Sequence, residues 1–288
     1  MFSKKSYPKI LTFLLISLVT LMGTFACQKN DTTQPEKGKP PEIPPVSTFL
    51  MDFNAFPDTA ATLLKSEGTP FVQTLTHHNW GWAALNVGVW NTLLTITFAV
   101  PVAAFAESFN HEPVQQDDGS WVWSYSFRPP GGVLHTAELH ATLVSDGVQW
   151  EMYISKQNAY SNFLWYSGLS EFTGQHGTWT LFHEPNDPTP FLGIEWNRNI
   201  SEGTADIKYT NIIPNHPENG GYIFYGIVNQ APNDAFYDIY NKGQDNHTNI
   251  EWDRTTKAGR VKDPLHFGDA DWHCWDTLDN ELQDIQCP

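Results

Sequence analysis

Hydrophobic and polar positions along the chain follow two regimes that meet near residue 118. From Asn79 through Ala106 there is no Asp, Glu, Lys or Arg, and apolar side chains fall on every side of a helix drawn through the stretch. Such a helix is buried, either in a membrane or in a large core. Asn79, Asn86, Asn91, Thr92, Thr95 and Thr97 are scattered along it, Gly81 and Gly88 weaken it, and Pro101 interrupts it. Neither end carries the Lys or Arg that orients a membrane span. The run therefore predicts a helical plug inside a protein core, capped by Asn79 and restarting after Pro101 as a second piece over Val102–Phe109. Phe49, Phe53, Phe56, Leu63 and Leu64 lead into it, with Asp58 placed to cap a short helix through Leu64.

From Ser120 the period becomes two. Trp121, Trp123, Tyr125 and Phe127 share one face, with Val122, Ser124 and Ser126 on the other. Segments 135–144 and 148–155 flank Ser145-Asp146-Gly147, a hairpin turn. Further strands are expected at 163–166, 178–182, 192–197, 205–209, 222–228, 235–240, 249–254 and 259–262. Ile194-Glu195-Trp196-Asn197-Arg198 returns as Ile250-Glu251-Trp252-Asp253-Arg254. That echo predicts two like hairpins, with Glu195 and Glu251 facing outward toward a basic residue on the returning segment. The fold class is α+β: about ten antiparallel strands in meander order, forming a curved sheet or incomplete barrel packed over the buried N-terminal helix. This arrangement resembles the incomplete barrel with helical plug of periplasmic lipoprotein carriers, in architecture and without motif residues to transfer.

Ahead of these regimes, Lys4, Lys5 and Lys9 precede the short apolar run Ile10–Met22 and Gly23-Thr24-Phe25-Ala26-Cys27, a secretory signal over residues 1–26. Its ending resembles a bacterial lipoprotein signal, in which a small residue precedes the cysteine that receives the lipid. Thr24 and Ala26 also suit ordinary signal-peptidase cleavage. The cysteine count favours the lipid: Cys274 and Cys287 pair as a disulfide near the C-terminus, which leaves Cys27 odd at the cleavage point. In such lipoproteins Gln28 after the cysteine suggests the outer membrane. Residues 27–48, with Pro35, Pro40, Pro41, Pro44 and Pro45, form the anchor and tether. Residues 49–288 then make one domain, helical over 49–110 and mainly β over 118–288 with a disulfide-pinned tail.

Charge narrows the partners. The leader holds three Lys and no acid, leaving 13 Lys and Arg against 32 Asp and Glu, a formal net of −19. That balance excludes nucleic acid, which needs clustered cations. Chemistry is sparse. His266, Asp269, Asp271 and His273 form the densest metal-ligating stretch, with a structural tail as the plainer reading. Glu195 and Glu251 are a conceivable acid and base of a glycosidase, although ion pairing is the commoner use. His77-His78 suits the helix entry, and His135 and His140 must point to opposite faces of one strand. No cofactor motif is present. Twelve Trp residues call for either a deep core or a stacking surface, for which Trp165-Tyr166 and Asn219-Gly220-Gly221-Tyr222 are the positions to inspect. The leading expectation is a non-enzymatic, exported binding or assembly protein, anchored by lipid in the cell envelope and holding an apolar ligand between helix and sheet. The alternatives are a glycan-binding module and a metal-dependent hydrolase.

Overall fold

Period-two burial runs through most of the strands, most clearly in Trp121–Phe127, where the two aromatic pairs are buried and the intervening residues are not. The computed structural model describes residues 38–56, 79–278 and 281–288. Its strands are β1 (Val114–Gln115), β2 (Trp121–Phe127), β3 (His135–Val144), β4 (Gly147–Lys156), β5 (Tyr160–Ser170), β6 (His176–Glu184) and β7 (Asp187–Asn199). They continue as β8 (Thr204–Asn211), β9 (Tyr222–Ile227), β10 (Ala235–Asn241), β11 (Asn246–Trp252), β12 (Gly259–Lys262), β13 (His273–Leu278) and β14 (Glu281–Ile285). Each strand pairs antiparallel with the next, in one open sheet whose spatial order is the chain order. Among the described residues two α-helices accompany it, α1 (Asn79–Ser108) and the one-turn α2 (Pro264–Phe267). Helix α1 touches β2 near one edge and β11 to β14 at the other, so the sheet bends around it.

Trp side chains fill the concave face. Trp150, Trp179, Trp196 and Trp275 are among the largest fully buried residues. The register seats all four opposite glycine: Trp150 and Trp179 flank Gly168 from either side, Trp196 faces Gly177, and Trp275 faces Gly259. A Cβ at Gly168 would lie 2.2 Å from the Trp179 ring, and one at Gly177 would lie 2.4 Å from the Trp196 ring. Large and small residues thus interdigitate across adjacent strands, which is how a strongly curved sheet is packed without voids. The tryptophans asked about in the sequence are mostly core.

Several expectations need correction. There are fourteen strands and not about ten. The two-residue β1 is too short to show a period, and the last pair, β13 and β14, lies in the stretch read as an irregular tail. Helix α1 is continuous in residue count but bends by 67° between Asn79–Thr95 and Thr97–Ser108. The bend falls one turn ahead of Pro101, whose ring crowds the carbonyl of Thr97 and offers it no N–H. A second piece therefore begins before the proline and not after it. Nor is α1 buried all round: Val89 and Leu93 are 45% and 56% exposed. No single helix among the described residues is long and apolar enough to cross a membrane, although the two halves of α1 together have that length and composition.

The helix shares the concave space with the segment that precedes it. Pro41, Pro44, Thr48 and Phe49 are buried, so the end of the proline-rich stretch is seated on the domain. Phe49 contacts Phe105, Tyr166, Phe98 and Trp179, with its ring centre 5.1 Å from that of Phe105. The Tyr209 hydroxyl donates to the Phe49 carbonyl at 2.9 Å and accepts from the Met51 N–H at 2.7 Å. The Tyr237 hydroxyl donates to the Asp52 carbonyl. The signal peptide, Cys27, the segment around Asp58 and His77-His78 lie outside the described residues.

Candidate functional site

Where the first half of α1 meets the N-terminal segment, two turns of apolar side chains are left only partly covered. Leu94, Phe98, Ala99, Val102 and Ala103 of the helix, Leu50, Met51 and Phe53 of the segment, Pro130 and the ring of Tyr209 enclose a groove of about 410 Å³. The bend in α1 opens it, because the two halves of the helix diverge around residue 96. Asn91 and Thr95 are the remaining lining residues, and they hydrogen-bond to each other, Oγ1 to Oδ1, at 3.3 Å. The Tyr209 hydroxyl is already engaged on both sides by the main chain of residues 49 and 51. Burial raises its pKa, so it stays neutral and offers no charge. Among the described residues no Asp, Glu, Lys, Arg or His lines the groove. Such a surface attracts a ligand by the hydrophobic effect and shape alone. A larger hollow of about 510 Å³ opens at the rim of β3, β4 and β5, where Leu134 and Tyr160 alternate with polar residues such as Lys156, Gln157 and Ser161.

The other half of the site is a polar clamp on the start of α1. Asp263 is buried and accepts from the Asn246 Nδ2, the Thr248 Oγ1, the Trp82 Nε1 and the His266 N–H, at 2.7, 2.7, 3.0 and 3.2 Å. Burial pushes its carboxyl pKa up, but the donors from Thr248, Asn246 and Trp82 outweigh it and hold the carboxyl below its usual value. Four neutral donors thus stabilise one buried carboxylate. Asp263 is also the N-cap of α2, with Pro264 at the first helical position, a pairing legible in sequence as Asp-Pro. His266 lies flat on Trp82, ring centres 3.6 Å apart.

The first turn of α1 is not capped by its own Asn79. The Asn79 side chain donates to the Cys274 carbonyl at 2.8 Å, and its N–H is taken by the Asp284 carboxylate at 2.8 Å. An acid from the last strand thus sits at the positive end of the helix. The disulfide between Cys274 and Cys287 joins β13 to the residues that follow β14. The C-terminal hairpin therefore fixes the position of the helix start.

No protein family, curated protein or solved structure matches this chain. Function has to be read from the site.

The four residues weighed as metal ligands do not converge. His273 stacks on Phe267 at 3.7 Å and its Nε2 meets Asp269 Oδ1 at 3.0 Å, whereas His266 is turned away onto Trp82. Asp269 further accepts from the Asp271 N–H, closing a turn. Among the described residues no three His, Cys, Asp or Glu side chains come together as a metal site. Glu195 and Glu251 sit on the outer face of β7 and β11, four strand spacings or about 19 Å apart. A glycosidase pair needs roughly 5–9.5 Å. Glu251 is instead bound to Arg260 at 2.6 Å. Lys208 lies opposite Glu195 in register, but its ammonium sits 4.0 Å over the Tyr222 ring, so the second hairpin does not repeat the ion pair.

Trp165 and Tyr166 are both buried. The register shift opposite Tyr153 puts two consecutive residues inward, which a strict alternation cannot show. Trp272 is overlain by Arg260 and Lys262, at 4.4 and 5.0 Å. His135 points inward and is buried while His140 is partly exposed, as their odd spacing requires.

Proposed function

We propose that this protein is an exported, lipid-anchored binding protein that holds an apolar ligand of acyl-chain size in the groove between α1, the segment 50–53 and Tyr209. The observation that carries the reading is the lining itself. The described lining is apolar, its few polar groups are already paired, and none of its residues carries a charge. A volume of about 410 Å³ falls within the range of about 300–1,000 Å³ typical of small-molecule sites. Leu50, 37% exposed in its lining, would be covered on binding. The disulfide supports an oxidising compartment outside the cytosol. The lysine-flanked leader ending at Cys27 supports attachment to the envelope, with the outer membrane favoured by Gln28. The apolar character of the described lining favours carriage or assembly as the role.

The test is displacement of an environment-sensitive fluorescent fatty acid by unlabelled lauric and palmitic acids. Saturable binding is expected in the intact protein, weakened roughly tenfold or more, about 1.4 kcal/mol, in Ala103→Trp, which fills the groove. Binding that is non-saturable, or indifferent to Ala103→Trp in a folded variant, rejects the reading.

A further inference from the structure

A second cavity, of about 340 Å³, lies on the other side of the first half of α1, over the ends of β8, β10 and β11. Its chemistry is the opposite of the apolar groove. Asn86 from the helix, Asn211 from β8, Asn241 from β10 and Gln244 from the β10–β11 turn bring carboxamides to its wall. Three of these amides are fixed through one atom only. Asn86 Nδ2 donates to the Trp82 carbonyl at 2.9 Å, Asn211 Oδ1 accepts from the Ile213 N–H at 3.0 Å, and Asn241 Oδ1 accepts from the Gln244 N–H at 3.0 Å. Asn86 Oδ1, the Nδ2 groups of Asn211 and Asn241, and the Gln244 carboxamide have no partner among the described residues. The result is one acceptor and two donors on tethered amides, with the amphoteric Gln244 carboxamide beside them.

Trp90 supplies the apolar side. Trp80 packs on Phe56, Trp82 carries His266, and Trp272 carries two cations. Among the partly exposed tryptophans in the described residues, Trp90 is the one whose ring meets neither another ring nor a cation, and it lines this cavity. Charge then restricts the ligand. Glu218 and Asp263 are in the lining, and no Lys or Arg is among its described residues, so phosphate, sulfate and carboxylate groups are disfavoured.

From this arrangement we infer that the cavity beside Trp90 binds a neutral saccharide, with a C–H face of the ring on the indole and hydroxyls on the amides and Glu218. A pyranose offers both features at once, alternating donor and acceptor hydroxyls around an apolar face. The site is separate from the apolar groove, and either can be lost without the other.

The experiment is saturation-transfer NMR on the whole protein, in a detergent without a sugar headgroup. The panel holds neutral hexoses and N-acetylhexosamines with their disaccharides, together with glucose 6-phosphate and choline. At least one neutral sugar should bind saturably, with choline and the phosphate giving no signal. Affinity should fall roughly tenfold in Trp90→Ala and in Gln244→Ala, while fatty-acid displacement stays as in the parent. Gln244 is on an exposed turn, so its variant separates loss of the site from loss of the fold. The inference is overturned if no neutral sugar saturates, if choline binds in its place, or if both variants bind as the parent does.

Discussion

The two halves of α1 are held by different physics. Asn79–Thr95 is tied by directional bonds to distant parts of the chain: Asn79 to Cys274 and Asp284, and Trp82 to the buried Asp263. Thr97–Ser108 is held mainly by rings, with Phe98 and Phe105 packed on Phe49, Tyr166, Trp179 and Tyr209. One direct tie to the sheet there is polar, the Tyr125 hydroxyl donating to the Ala104 carbonyl at 2.6 Å. Directional bonds fix position and rotation, whereas ring packing supplies burial and tolerates rearrangement. The groove opens where one regime gives way to the other, which places adaptable walls on one side of it and a fixed helix on the other.

The comparison can be broken at four places. Phe105→Ala should have the largest effect, lowering unfolding free energy by about 3–5 kcal/mol in denaturant titration, through lost burial and the cavity left behind. Replacing both cysteines of the Cys274–Cys287 pair by Ser should cost about 3 kcal/mol, in line with a loop of 13 residues. Amide exchange should then speed up at the start of α1 and not around Phe105, because only the former hangs on that hairpin.

Asp263→Asn should cost about 1–3 kcal/mol by leaving a donor facing donors in the buried clamp. It should also change the acid limb. The ionised Asp263 contributes its stability above the unfolded value near 3.9, and that contribution is lost as pH falls below it toward the lower folded value. The parent should therefore lose stability more steeply than Asp263→Asn below about pH 4. The smallest effect is expected at Tyr166→Phe. That hydroxyl is buried with no partner, so its removal should be neutral or stabilising, within about 1 kcal/mol by thermal melting. A loss larger than the one at Asp263 would reverse the contrast between the two halves.

Much of the fold is legible from local pattern. The alternation in Trp121–Phe127 and the Ser145-Asp146 turn mark β2 to β4, and the charge-free run marks α1 at both ends. Around Trp165-Tyr166 a bulge defeats the period, and from residue 273 a Cys-Trp-Asp-Thr run carries too many polar residues to read as a strand. The site is less legible, because its parts are remote in sequence. Leu50, Phe98, Pro130 and Tyr209 meet only after the sheet has curled, and Asp263 gains its role from Trp82, 181 residues away. Two local signals lie within it, the first unused in reading the sequence and the second picked out for a stacking surface. Asp263-Pro264 is a helix-start signature, and Asn219-Gly220-Gly221 brings Gly221 to the wall of the cavity beside Trp90.

The most direct measurement is native mass spectrometry of the chain from Gln28 onward, purified without detergent, beside its Ala103→Trp variant. The account predicts a reproducible extra mass of acyl-chain size on the parent, extractable by organic solvent and absent from the variant. A bare polypeptide mass for both, with no uptake of added fatty acid, would contradict it.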